Sequence, residues 1–254
     1  MRSLYRRRAG DGNSVIVFED PAVKQICVSQ WGGGEVPNEI TVSEAAKVTT
    51  LNNAFKGNVY ISKFNELRYF VGITSLNSQF YGCTNLSEVT IPKANIGDFT
   101  DAFRNCHQLK ELDITPTKAA TINVEGMARV CMRLVKLRIP GVAYSAFQYA
   151  VNNDILFTTL EIDGTADFSG VSSFSNAFYG DSSFTTISGS MTGIKANVGF
   201  GDSLLTRESA LVVLNGLDEV QSSRTVTFSP HTFSLLTDED IDIAIEKGWQ
   251  VASV

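Results

Sequence analysis

Apolar residues along the chain fall into a frame that repeats every 23–27 residues, anchored on Asn58, Cys83, Cys106, Cys131, Asp154 and Asp181. Three residues before the anchors stand Phe55, Phe80, Phe103, Ala128, Val151 and Phe178; three after stand Ile61, Leu86, Leu109, Leu134, Phe157 and Phe184. Six after come Phe64, Val89, Leu112, Leu137, Leu160 and Ile187, and eight after come Glu66, Ile91, Ile114, Ile139, Ile162 and Gly189. The last two columns lie two residues apart, so they share one face of a short strand. One such strand cannot bury its face alone. Parallel stacking at about 4.8 Å joins successive turns into a continuous column of Leu, Ile and Val. The pattern degrades at both ends, as the terminal turns of a closed stack require.

The flanks predict those closures. Thr41 and Glu44 have the spacing of a capping box that opens a short helix. Thr206 can cap a helix through Leu214, with Leu211, Leu214 and Leu217 at helical spacing. Thr225 to Phe228 reads as one more strand. Thr237 starts a last helix whose Asp238, Glu239 and Asp240 suit the helix dipole, and Gly248 supplies its stop. The expected fold is a leucine-rich repeat solenoid of about six turns of short parallel strands, with irregular or short helical returns and helical caps at both ends. Its expected divisions are an Arg-rich arm (1–14), an amino-terminal cap (15–54), the repeats (55–200) and a helix–strand–helix cap (201–254).

The run Phe80-Tyr-Gly-Cys83-Thr-Asn-Leu86, continued by Val89-Thr-Ile91-Pro92, has counterparts around Cys106 and Cys131. It resembles the BspA-like leucine-rich repeats of bacterial surface proteins. Phe18 through Trp31, then Glu44, Phe64 to Leu67 and Tyr69-Phe70, resemble the amino-terminal cap that travels with such repeats. Leu205 to Ser209, Leu214, Leu217, Thr225 to Phe228, Leu236-Thr237 and Lys247 to Trp249 resemble a closing module of phage- and prophage-encoded repeat proteins. The resemblance implies a non-enzymatic recognition or structural protein. The expectation is a phage virion component, in a tail or head appendage, that presents a binding surface. The alternative is a bacterial cell-surface adhesin that binds host protein or glycan. In the resembled family an EF-hand-like loop often follows the Trp. Here Gly33, Glu35 and Pro37 hold its first, third and fifth ligand places and Asn38 the place of its glycine, so the loop reads as degenerate and no metal is expected.

Composition narrows the partners. The 254 residues are 43% apolar and 19% charged, with 20 Gly and 6 Pro, which excludes a disordered or collagen-like chain. Net charge is −6, yet residues 1–10 hold Arg2, Arg6, Arg7 and Arg8 and no acid. The body is therefore more acidic than the whole and repels phosphate backbones, which argues against nucleic acid as the main partner. The basic segment, with Tyr5, is expected to be an assembly arm that pairs with acidic groups on other virion or surface proteins, within an oligomeric assembly. Val15 to Phe18 is too short for the apolar core of a secretion signal, and no run is long enough to span a bilayer.

Reactive residues are few. Stacking brings Cys83, Cys106 and Cys131 within disulfide reach of their neighbours, but three in a column cannot all pair. Asn and Asp replace Cys in adjoining turns, and all are small side chains able to satisfy turn backbone, so the column reads as a structural ladder. His107 follows Cys106, but neighbouring strand residues point to opposite faces. No metalloprotease, serine-hydrolase, P-loop or dinucleotide motif occurs, so no catalytic residue and no cofactor is expected. What remains is surface. Glu88, Thr90, Glu111, Asp113, Lys136, Arg138, Thr159 and Glu161 alternate with the core columns and are expected to form one exposed binding face.

Overall fold

The computed structural model describes residues 14–254. Two helices open it, α1 (Pro21–Trp31) and α2 (Val42–Lys47). The repeats follow with β1 (Lys63–Phe64), a 3-10 helix (Asn65–Tyr69), β2 (Glu88–Val89), β3 (Glu111–Asp113), β4 (Thr121–Asn123), β5 (Lys136–Pro140), β6 (Ala143–Ala146), β7 (Thr159–Asp167), β8 (Thr186–Thr192) and β9 (Val198–Phe200). The chain continues through α3 (Arg207–Gly216), β10 (Arg224–Phe228), α4 (Pro230–Phe233), α5 (Asp238–Ile245) and β11 (Trp249–Ser253).

Asp20 joins the opening helices to the first turn. One carboxylate oxygen accepts the Ala22 and Val23 N–H groups at the start of α1. The other accepts the Ser62 N–H and hydroxyl at 2.6 and 2.8 Å. Burial opposes ionisation of Asp20, but these donors outweigh it and hold the carboxyl below its usual range. Thr41 and Glu44 form the expected capping box on α2.

The strands of the stack pair in parallel. Leu112 lies opposite Leu137, Leu137 opposite Leu160, and Leu160 opposite Ile187, so the column six residues after the anchor is a physical stack. β1 and β2 form a separate pair in which Phe64 meets Val89. The returns differ from the irregular or short helical form expected of them. β4 pairs with β6, and the far halves of β7 and β8 pair from Thr165–Ser190 to Asp167–Thr192, making a second row of strands. Its cause is another buried column, Ile122, Tyr144 and Phe168, which an extended backbone aims inward turn after turn.

Between the second row and each anchor the chain reverses through two left-handed residues. One lies five before the anchor (Asn53, Ser78, Asp101, Gly126, Tyr149, Asn176) and one immediately before it (Gly57, Gly82, Asn105, Val130, Asn153, Gly180). Gly and Asn tolerate that conformation, which explains five of the six residues in the second set.

The stack also runs past residue 200. Val198 pairs with Val226, and Val226 with Val251. The rings of Phe178, Phe200 and Phe228 continue the aromatic column at 4.9 and 5.9 Å. Residues 201–254 thus carry two strands, β10 and β11, where a helix–strand–helix order was expected. α5 ends at Ile245, and Gly248, in the left-handed region, leads straight into β11, whose partner β10 lies one repeat length earlier.

Candidate functional site

The anchor column holds the chain's most reactive side chains and uses them internally. Cys83, Cys106 and Cys131 are free thiols. Each donates its S–H to the carbonyl of Phe55, Phe80 or Phe103 on the preceding turn, at 3.0, 3.1 and 3.0 Å. Burial pushes the Cys83 thiol up to about 12 and those of Cys106 and Cys131 well above their ordinary value. Thiols so buried offer no thiolate to attack with. His107 stands partly exposed outside this column.

The loop before α2 is closed by its own carboxylates. Glu44 Oε1 accepts from the backbone N–H of Gly34 and Glu35, at 2.9 and 2.8 Å, while Oε2 accepts from Thr41. Glu35 accepts from the Thr41 hydroxyl at 2.7 Å and pairs with Lys47 at 3.3 Å. Both acids are therefore engaged, and no cluster of three or more metal-ligating residues occurs among the described residues.

Of the expected binding face, β3, β5 and β7 bring Asp113, Lys136, Arg138 and Glu161 together. Lys136 reaches Glu161 at 2.6 Å, while Arg138 bridges Asp113 at 2.7 Å and Glu161 at 3.0 Å. The hydrogen bond from Lys136, together with both cations, holds the Glu161 carboxyl below its usual range. Thr159 exchanges a hydroxyl hydrogen bond with Thr158, and Glu111 stands exposed at the edge of the group. Glu88 and Thr90 belong instead to the β1–β2 region, where Glu88 pairs with Lys63 at 2.7 Å and the Thr90 hydroxyl donates to Asn65. The face is thus an ion-pair ladder that largely neutralises itself. Arg2, Tyr5, Arg6, Arg7 and Arg8 lie outside the described residues.

A second surface has no counterpart in the sequence reading. Tyr144 stacks on Phe168 at 5.2 Å, and Phe147 meets Phe174 at 5.9 Å, so these pairs occupy equivalent places on adjacent turns. Ser145 and Ala146 separate the first members, but Ser169 to Ser173 separate the second. The longer serine-rich loop, with Lys195 to Asn197 on the next turn and Arg224 beyond, lines a cleft of about 670 Å³. A neighbouring cavity of about 560 Å³ shares Ser175 and Asn197 with it and extends to Tyr179, Asp202 and Thr227. The available signal was the 27-residue gap between Asp154 and Asp181, the widest in the frame.

Stacked parallel strands, a regular anchor column and paired left-handed turns define a leucine-rich repeat solenoid. The family described as BspA type Leucine rich repeat region matches residues 39–154 and 73–203 with six copies, and the chain belongs to it. That membership carries a protein-interaction role at the level of the family. No curated protein and no solved structure matches the chain. Among the described residues, no helix is long and apolar enough to cross a membrane.

Proposed function

We propose that this chain is a non-enzymatic recognition module whose surface binds a partner. The observation that supports this reading is how the fold disposes of its chemistry. The thiols are buried and hydrogen-bonded inward, while the outside offers a self-neutralised ladder and a polar cleft. Solenoids of this kind bind along such surfaces. The test is saturable binding of the fluorescently labelled protein to intact cells of the culture that yields it. Binding that does not saturate, or that an unrelated solenoid matches, overturns the reading.

The setting we propose is a phage virion, with residues 1–14 as the tether and an oligomeric appendage as its place. The likeness of Leu205 to Trp249 to phage closing modules supports it. Family membership supports the second reading, a bacterial surface adhesin. Fractionation with mass spectrometry separates the two: purified particles favour the first, and an envelope fraction free of particles favours the second. Recovery in neither overturns both. In the first case, deletion of residues 1–12 abolishes incorporation and leaves the thermal transition in place.

A further inference from the structure

We propose that the cleft beside the Ser169–Ser173 loop binds a short uncharged oligosaccharide, an inference that rests on the recognition reading above. The loop is an addition to one turn of an otherwise regular stack, and it builds a wall where the neighbouring turn has none. The two joined cavities, about 670 and 560 Å³, each lie within the size range of small-molecule sites.

The lining selects the ligand class by elimination. Serine hydroxyls, Asn197, Thr227 and the backbone of Gly170 and Gly199 supply donors and acceptors suited to sugar hydroxyls. Asn197 uses its oxygen to accept the Thr225 N–H at 2.9 Å, which leaves its amide N–H groups for a ligand. Val171, Ala196, Val198 and Val254, with Phe174 and Phe178, interrupt the polar groups, so the site is amphipathic, as a sugar with polar edges and C–H faces requires. Charge is balanced: Lys195 pairs with Asp218 at 3.2 Å, and Asp202 stands in the same groove system as Arg224. A polyanion therefore finds no net attraction there. Tyr179, 58% exposed, supplies an apolar ring against which the C–H face of a sugar can lie.

The test uses the full chain and two variants. Tyr179→Ala removes the ring, and Ser172→Trp fills the cleft from a side chain that carries no internal hydrogen bond among those described. Saturation-transfer NMR is run with maltotetraose, chitotetraose and lacto-N-tetraose as neutral probes, and with a heparin hexasaccharide as the anionic one. The expected result is saturable binding of at least one neutral probe, weakened about fivefold to tenfold by Tyr179→Ala and abolished by Ser172→Trp, with thermal transitions unchanged. Binding of heparin alone, no binding of any probe, or neutral binding indifferent to both variants overturns the proposal. Cell binding that survives both variants and periodate oxidation of the cells, but not protease treatment, overturns the glycan and keeps the recognition reading with a protein partner. Absence of cell binding removes the recognition reading itself.

Discussion

The backbone N–H of Asp154 donates to Oδ1 of Asp181, 2.9 Å away and one turn further along the stack. Asp154 in turn accepts the N–H of Cys131. Each carboxyl keeps a second oxygen, Oδ2, buried without a partner. The charged groups that act on Asp181 are Asp154 and Asp202, both acidic. Burial first, then the charge of Asp154, pushes Asp181 up to about 9, and burial drives Asp154 well above the carboxylate range. A protonated carboxyl carries an O–H donor, as the thiols do at the same column in earlier turns. The folded chain thus retains protons that the unfolded chain releases near its ordinary value of 3.8.

The sign of the pH dependence follows. Where the folded state binds more protons than the unfolded one, stability falls as pH rises. The contribution of this pair is fully present below about pH 4 and is lost progressively toward about pH 9, the value Asp181 reaches in the fold. Asp154→Asn and Asp181→Asn keep the shape and a donor but need no proton, as Asn58 already does at the head of the column. Each variant should melt above the parent at pH 8 and close to it at pH 4, read by thermal denaturation. Melting below the parent at pH 8 would show that the buried groups work as ionised acceptors.

Val130 is held at a φ of 61°, in the column otherwise filled by Gly57, Gly82, Asn105, Asn153 and Gly180. A β-branched side chain in the left-handed region costs about 1–2 kcal/mol. Val130→Asn copies the adjoining turns and should raise stability by about 1 kcal/mol, seen as a higher urea midpoint at unchanged slope. A lower midpoint would mean that packing of the half-buried Val130 side chain outweighs its backbone strain.

These two columns show what was legible in the chain. The strand row could be read because its Leu and Ile positions recur two residues apart. The anchor column could be read because Cys, Asn and Asp share small size and polarity. The second strand row was hidden, since Ile122, Tyr144 and Phe168 differ in bulk and unequal spacing breaks their phase. The left-handed position five before the anchor was masked by Ser78 and Tyr149, residues that do not advertise a positive φ. β11 escaped because its pairing with β10 is set by register rather than by local pattern. The cleft left only an irregular repeat length, which by itself says nothing about chemistry.

Leu112 lies opposite Leu137 in the strand column and is almost fully buried. Leu112→Ala removes buried methyl groups that close packing cannot replace, so a loss of about 2–5 kcal/mol is expected. Chemical denaturation measures it. A change near zero would show that the stack relaxes around the site and that this column is not the core.

Arg138 separates Asp113 from Glu161, and its removal tests what the ladder does. Exposed ion pairs contribute little, because solvent screens them and two long side chains must be ordered. Arg138→Gln should therefore shift stability by less than about 1 kcal/mol and leave the strand register intact. Arg138→Glu is a different change. It places a third carboxylate between two others across adjacent strands, where like charges repel directly. That variant should melt below Arg138→Gln at about 0.01 M salt, and the gap should close near 1 M, where the screening length falls to about 3 Å. Thermal melts of both variants at the two salt concentrations decide it. A salt-independent gap would place the cause in packing of the arginine stem, and equal melts at low salt would mean that the three side chains do not share the geometry of the ladder.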